Sequence, residues 1–121
     1  DPEFGRGRSC GEFVKPLHKT GPHVAGNGVQ FYTGTMFPGE YKNRLFLAQR
    51  GSWNRTQKSG FRVMTVTLNA GGAPKYEVFA EGWLQGNEIW GRPVYTQQMK
   101  DGSLLISDDY AGAIYRVAYQ R

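Results

Sequence analysis

A single cysteine, Cys10, occurs in the 121 residues. A lone thiol excludes an internal disulfide and a cysteine-built zinc site, and it leaves the compartment open. No run approaches 18 consecutive apolar residues, so the sequence offers no membrane-spanning helix. No stretch sustains apolar residues at i, i+3 and i+4, which argues against long amphipathic helices. The glycine-rich phosphate loop ending in Lys-Ser/Thr is missing. So are the His-Glu-x-x-His zinc pattern and the Gly-x-Ser-x-Gly nucleophile elbow. Glycine is abundant but has no every-third-residue period, which excludes collagen. The formal net charge is +5, yet no block of five or six basic residues appears. A scattered excess reads as a solvated basic surface whose mild field favours anionic partners.

What is present points to one fold class. The chain is 39% hydrophobic, with 17 Gly, seven Phe, seven Tyr and three Trp. That is too apolar for a disordered chain. A chain of this length buries roughly two thirds of its extended surface, enough for a real core. Many glycines, many aromatics and short apolar runs together predict an all-β protein rich in turns. Asp1-Pro2-Glu3-Phe4 reads as translated cloning sites, and residues 1–9 are set aside as a cloning scar. Residues 10–28 read as an N-terminal strand or linker. Strands are expected over Val29–Thr33, Arg44–Gln49, Phe61–Leu68, Lys75–Ala80, Pro93–Met99, Ser103–Ser107 and Ala113–Tyr119. Phe37–Tyr41 suits a single helical turn after Pro38. Turns are expected at Asn69–Pro74, at Lys100-Asp101-Gly102-Ser103 and at Asp109-Tyr110-Ala111-Gly112.

An internal repeat organises these strands. Arg44-Leu45-Phe46-Leu47-Ala48-Gln49 aligns with Ser103-Leu104-Leu105-Ile106-Ser107-Asp108. Gly60-Phe61-Arg62-Val63 then aligns with Gly112-Ala113-Ile114-Tyr115. The offset falls from 59 to 52 residues between these pairs, because the first copy carries a longer loop around Ser52–Ser59. A unit of roughly 50–60 residues with three or four strands suits a β-propeller blade. Residues 29–83 form one expected four-stranded blade, and residues 84–121 a second, incomplete one. A propeller needs at least four blades to close. The chain is therefore expected to be a fragment of a propeller, or to complete one by association.

Several motifs carry a family resemblance. They are His23-Val24-Ala25, Phe31-Tyr32-Thr33-Gly34, Phe37-Pro38 with Tyr41, and Gly51-Ser52-Trp53-Asn54-Arg55 with Gly60-Phe61-Arg62-Val63. Gly91-Arg92-Pro93-Val94 and the run Asp101 to Arg116 complete the set. In this order and spacing, residues 20–119 resemble the C-terminal region of bacterial glucose/sorbosone dehydrogenases. The resemblance implies a six-bladed β-propeller using pyrroloquinoline quinone (PQQ), with calcium, to oxidise a sugar or aldehyde. The intact parent would be periplasmic or secreted, with a sugar as substrate. Two departures stand out. Arg50 replaces the usual His before Gly51-Ser52-Trp53, and Gly26-Asn27-Gly28 replaces a Pro-containing stretch. The family's catalytic base and much of its calcium site lie in earlier blades. No catalytic or metal-binding residue is therefore expected in this chain, and the isolated chain is expected to be inactive.

The candidate cofactor contacts are Trp53, Asn54, Arg55 and Arg92. A guanidinium suits the carboxylates of PQQ, because its planar fork binds bidentately and stays charged. Arg55 reads either as a cofactor contact or as a surface arginine stacked on Trp53. Arg92 sits where an inner strand begins, near the axis of a propeller. His23 has no carboxylate neighbour in sequence and reads as solvated or structural. Asp108 and Asp109 read as turn acids bonded to backbone amides rather than as cation ligands. Trp53, Trp83 and Trp90 read first as packing between blades. Glu88 is expected either to pair with Arg92 or to be exposed. A homotrimer of three two-bladed chains is one expected assembly. In a strand-swapped alternative, residues 12–17 supply the missing strand of a neighbour's blade. No membrane partner is expected. The rival reading is a non-enzymatic module binding carbohydrate or nucleic acid. Nucleic acid is the weaker of these two, because the aromatics sit mainly in apolar strand patterns.

Overall fold

The computed structural model describes residues 2–68 and 72–120. Nine strands are present among them: β1 (Gly26–Phe31), β2 (Leu45–Gln49), β3 (Arg62–Thr67), β4 (Lys75–Ala80), β5 (Leu84–Gln85), β6 (Glu88–Ile89), β7 (Pro93–Gln98), β8 (Leu104–Asp108) and β9 (Ala113–Val117). They build an antiparallel four-stranded sheet in the order β1-β2-β3-β4, a short β5-β6 hairpin and an antiparallel three-stranded sheet in the order β7-β8-β9. The all-β expectation holds. The helical turn expected over Phe37–Tyr41 is a single 3-10 turn at Gly39–Tyr41.

The sequence pattern explains the sheet. β2 carries five residues, of which four are buried, as expected of a strand covered on both faces. Leu47 lies opposite Val29 on one side and Met64 on the other. Alternate residues point to opposite faces. Phe46 and Val63 accordingly enter the core with Leu104 and Ile106 of the second sheet. Tyr32 and Phe37 complete that cluster. Phe46 meets Phe79 edge-on, with ring centroids 4.8 Å apart, a favoured aromatic geometry. The buried Tyr32 hydroxyl donates to the Gly102 carbonyl at 2.8 Å and accepts from the Phe37 amide at 3.1 Å. One core tyrosine thus ties the first sheet to the β7–β8 turn.

The two larger sheets stack with their first strands adjacent, β1 and β2 lying against β7. Gly28 makes the close approach possible: a Cβ there would sit 2.6 Å from the Tyr95 Cα. β1 begins at Gly26, earlier than the strand expected from Val29, because the main-chain ladder continues past the apolar run. Residues 10–25 contain no strand. Ser9 caps a 3-10 turn at Cys10–Glu12, and the His18 ring lies 4.5 Å from that of Tyr76 on β4. Of the turn expected at 69–74, residues 69–71 lie outside the described residues. In the Asp101–Gly102 turn, Gly102 takes the positive φ of 87°, while Asp101 uses its carboxylate to accept from the Ser103 amide and hydroxyl. No helix among the described residues is long and apolar enough to cross a membrane.

Candidate functional site

The link between β2 and β3 forms a closed loop over residues 52–59. Its neck is pinched by hydrogen bonds from the Ser52 amide to the Ser59 carbonyl (2.9 Å) and from the Ser59 amide to the Ser52 hydroxyl (3.1 Å). Gly51 and Gly60 flank the neck with φ of 94° and 89°. Neither tolerates a side chain. A Cβ on Gly60 would lie 2.8 Å from the Gly51 Cα, and one on Gly51 would collide with the Phe61 ring. Phe61 itself is buried at a positive φ of 60°, a conformation that bulky residues adopt only when the surroundings impose it.

Arg92 is the imposing neighbour. Its guanidinium lies 4.8 Å from the Phe61 ring centroid. It donates to the carbonyls of Gly51 (3.2 Å) and Ser52 (3.1 Å), with a longer contact to that of Arg50 (3.5 Å). Arg92 is buried, and the glycines and serine it grips are the loop's neck. Its backbone amide donates to Asp108 Oδ1 at 2.9 Å. The same oxygen accepts from the amides of Tyr110 and Ala111, and Oδ2 accepts from the Tyr115 hydroxyl. Burial pushes the Asp108 carboxyl up, but the amides of Ala111, Arg92 and Tyr110 and the Tyr115 hydroxyl together hold it below its ordinary value. Asp109 points away and pairs with Arg50 at 2.7 Å, bridging the two sheets.

The loop displays Trp53, Asn54 and Arg55 outward. Trp53 is 86% exposed, and Asn54 and Arg55 are exposed. Arg55 Nε donates to the Gln57 carbonyl at 2.6 Å. Among the described residues, no carboxylate pairs with Arg55. The structure thus gathers three of the four candidate contacts on one surface and sets Arg92 beneath them. The tryptophans depart from the packing expectation. Trp53 and the 64%-exposed Trp90 do not fill space between sheets, and Trp83 alone packs, edge-on to Tyr115 at 5.6 Å. Glu88 is exposed on β6, and the Arg92 guanidinium is taken up by main-chain carbonyls. His23 is exposed at a positive φ of 57°.

Beside the loop opens a cleft of about 300 Å³ lined by Lys58, Ser59, Arg62, Glu81 and Leu84. Across the loop's outer limb lies the β5–β6 hairpin, which the sequence reading missed. Its strands have two residues each, too short to show alternation, although Gly86-Asn87 between them is a recognised hairpin dipeptide. The Asn87 carboxamide donates to the Thr56 carbonyl (2.9 Å) and accepts from the Lys58 amide (3.1 Å). No group of three or more His, Cys, Asp or Glu side chains able to hold a metal ion gathers among the described residues.

No family model matches the chain. A protein of Borreliella burgdorferi (strain ATCC 35210 / DSM 4680 / CIP 102532 / B31), described as uncharacterized, is 38% identical over 113 residues, covering 91% of this chain and 30% of that protein. Among solved structures, the holo form of the pyranose dehydrogenase PQQ domain from Coprinopsis cinerea matches with a TM-score of 0.54 and 22% identity. That match covers 81% of this chain and 27% of the other. The chain therefore has a PQQ-dehydrogenase-like fold, with antiparallel sheets arranged as in a β-propeller. It spans about a third or less of the length of either protein.

Proposed function

We propose that the chain forms two blades of a PQQ-dependent sugar dehydrogenase of the glucose/sorbosone type, and that loop 52–59 is part of the wall of its quinone site. The carrying observation is the loop itself: a pinched, braced segment presenting an exposed indole, a carboxamide and a guanidinium without a carboxylate partner. This donor set fits a planar, anionic ring. The Arg55 guanidinium suits a carboxylate. Trp53 offers a flat apolar face for stacking, and Asn54 supplies a donor and an acceptor. When bound, PQQ serves as acceptor for the hydride of the sugar carbon being oxidised. Arg92 keeps the loop's neck in place and is not itself presented to solvent.

Calcium takes oxygen ligands, and because no group of three or more acidic side chains gathers among the described residues, this reading draws no carboxylate cluster for it from them. In this reading the calcium site and the base that takes the sugar's hydroxyl proton belong to further blades of a longer, periplasmic protein. The isolated chain is then a binding wall without turnover, since base and cofactor must be held together for the step. For the isolated chain, cut off from those further blades, the reading also includes self-association. The second sheet ends on β9 with Ile114 70% exposed, and Val14 of the 12–17 segment is 99% exposed. That segment of a second copy supplies the fourth strand of the second sheet.

The test adds PQQ, with and without calcium, and follows tryptophan fluorescence, melting temperature and sugar-dependent dye reduction. Quenching and a thermal shift without dye reduction are expected. Absence of PQQ binding, together with binding to glycans or oligonucleotides, would overturn the reading in favour of a binding module.

A further inference from the structure

We propose that Asn87 is a positioning residue that sets the orientation of loop 52–59 from the side, making the β5–β6 hairpin a brace for the recognition surface. The inference rests on the reading of that loop as a ligand-binding wall and adds to it the residue that fixes its shape. The neck alone, through Ser52, Ser59 and Arg92, secures only the loop's base. Residues 53–58 would swing about that base if nothing else held them. Asn87 holds them at two points. Its Nδ2 donates to the Thr56 carbonyl, and its Oδ1 accepts from the Lys58 amide. Those two groups flank Gln57, so one carboxamide stands in for the peptide edge of a neighbouring strand. The Lys58 ammonium adds a bond to the Asn87 carbonyl at 2.9 Å, and Arg55 is tied in turn to the Gln57 carbonyl between the two clamped positions. The orientation of the candidate carboxylate-binding guanidinium therefore depends on a residue on a different strand pair.

Side-chain chemistry makes the position selective. Only a carboxamide offers a donor and an acceptor side by side. Aspartate keeps the acceptor and turns the donor into a second oxygen facing the Thr56 carbonyl. Alanine removes both. Asn87 is exposed on the hairpin turn, so neither change disturbs the core. The expected benefit is preorganisation: a ligand meeting an ordered loop loses less freedom on binding than one that must order it.

The experiment uses the full chain and its Asn87→Ala and Asn87→Asp variants, first without ligand. In N87A the amide of Lys58 exchanges faster by about tenfold, the scale set by loss of a hydrogen bond. The Ser52 amide, bonded across the neck, keeps its rate, and the melting temperature stays within about 2 °C. N87D keeps the Lys58 protection. Titration with PQQ, read by tryptophan fluorescence, then shows about tenfold weaker binding by N87A, with N87D between it and the parent. Unchanged Lys58 exchange in N87A overturns the brace. So does faster exchange with undiminished PQQ affinity. A parent chain that binds no PQQ overturns the proposed function instead, and the exchange result then decides the brace alone.

Discussion

A guanidinium removed from water is costly unless its N–H groups find acceptors. Arg92 meets this condition with main-chain oxygens and an aromatic face rather than with an acid. Its role as a loop support follows from a choice that sequence cannot display, because carbonyl acceptors carry no residue identity. The sequence placed Arg92 at a strand entry, and it does immediately precede β7, but what its side chain would grip was hidden. Of the two acids expected to bond backbone amides, Asp108 was legible, whereas Asp109 pairs with Arg50 instead. Asp108 collects backbone amides, the expectation drawn from its Asp-Asp-Tyr-Ala-Gly context. Asp101 does likewise at the β7–β8 turn. Hydrogen bonds from the Ser103 hydroxyl and then the Ser103 amide, followed by the Arg116 guanidinium, lower its carboxyl from 3.8 to about 2. A folded-state value below the unfolded one means that the turn's stabilisation is present above the ordinary value and is lost as pH falls toward about 2. Carboxyl titration by NMR is expected to find Asp101 near that value. In Ser103→Ala it should return upward, because the hydroxyl donor is gone.

At the scale of elements, the β2–loop–β3 unit concentrates the constraints. Gly51 couples three of them: a positive φ, contact with Phe61 and a carbonyl that accepts from the Arg92 guanidinium. Gly51→Ala is expected to destabilise the fold by about 2–4 kcal/mol, combining backbone strain with overpacking. Urea unfolding checks this, and a loss under about 0.5 kcal/mol would mean that the neck is slack. The longer strands were readable from continuous apolar runs or, as in Leu104–Asp108, from alternation of buried and half-buried residues. Leu45–Gln49 and Lys75–Ala80 appear where their apolar runs lie. Two features escaped for physical reasons. The β5–β6 hairpin has strands too short for any period, and the edges of β1 are set by ladder bonding at Gly26 rather than by side chains. The outward loop tryptophan escaped as well. An indole on a propeller strand normally packs, but here Trp53 lies beyond the neck, where no sheet can reach it.

At the scale of the whole molecule, both stacked sheets retain open apolar surface. Val29, Phe31 and Val78 are about half exposed on the first, and Ile114 and Tyr95 are exposed on the second. Unpaired strand edges and apolar faces favour association. For the isolated chain, light scattering with size separation is expected to return a multiple of 13.6 kDa, with the trimer favoured because three two-bladed copies make six blades. A monodisperse monomer at high concentration would remove self-association from the reading. The pinched neck has a separate evolutionary consequence. Once its two ends are locked at Gly51 and Gly60, the cost of lengthening the loop rises only with the logarithm of its length. The eight residues between them thus behave as a replaceable cassette. This fits the seven-residue difference between the two copies of the repeat: one copy carries an outward excursion while the strands on either side keep their register. Grafting a different loop between those glycines is the change in binding preference that this scaffold accommodates most easily.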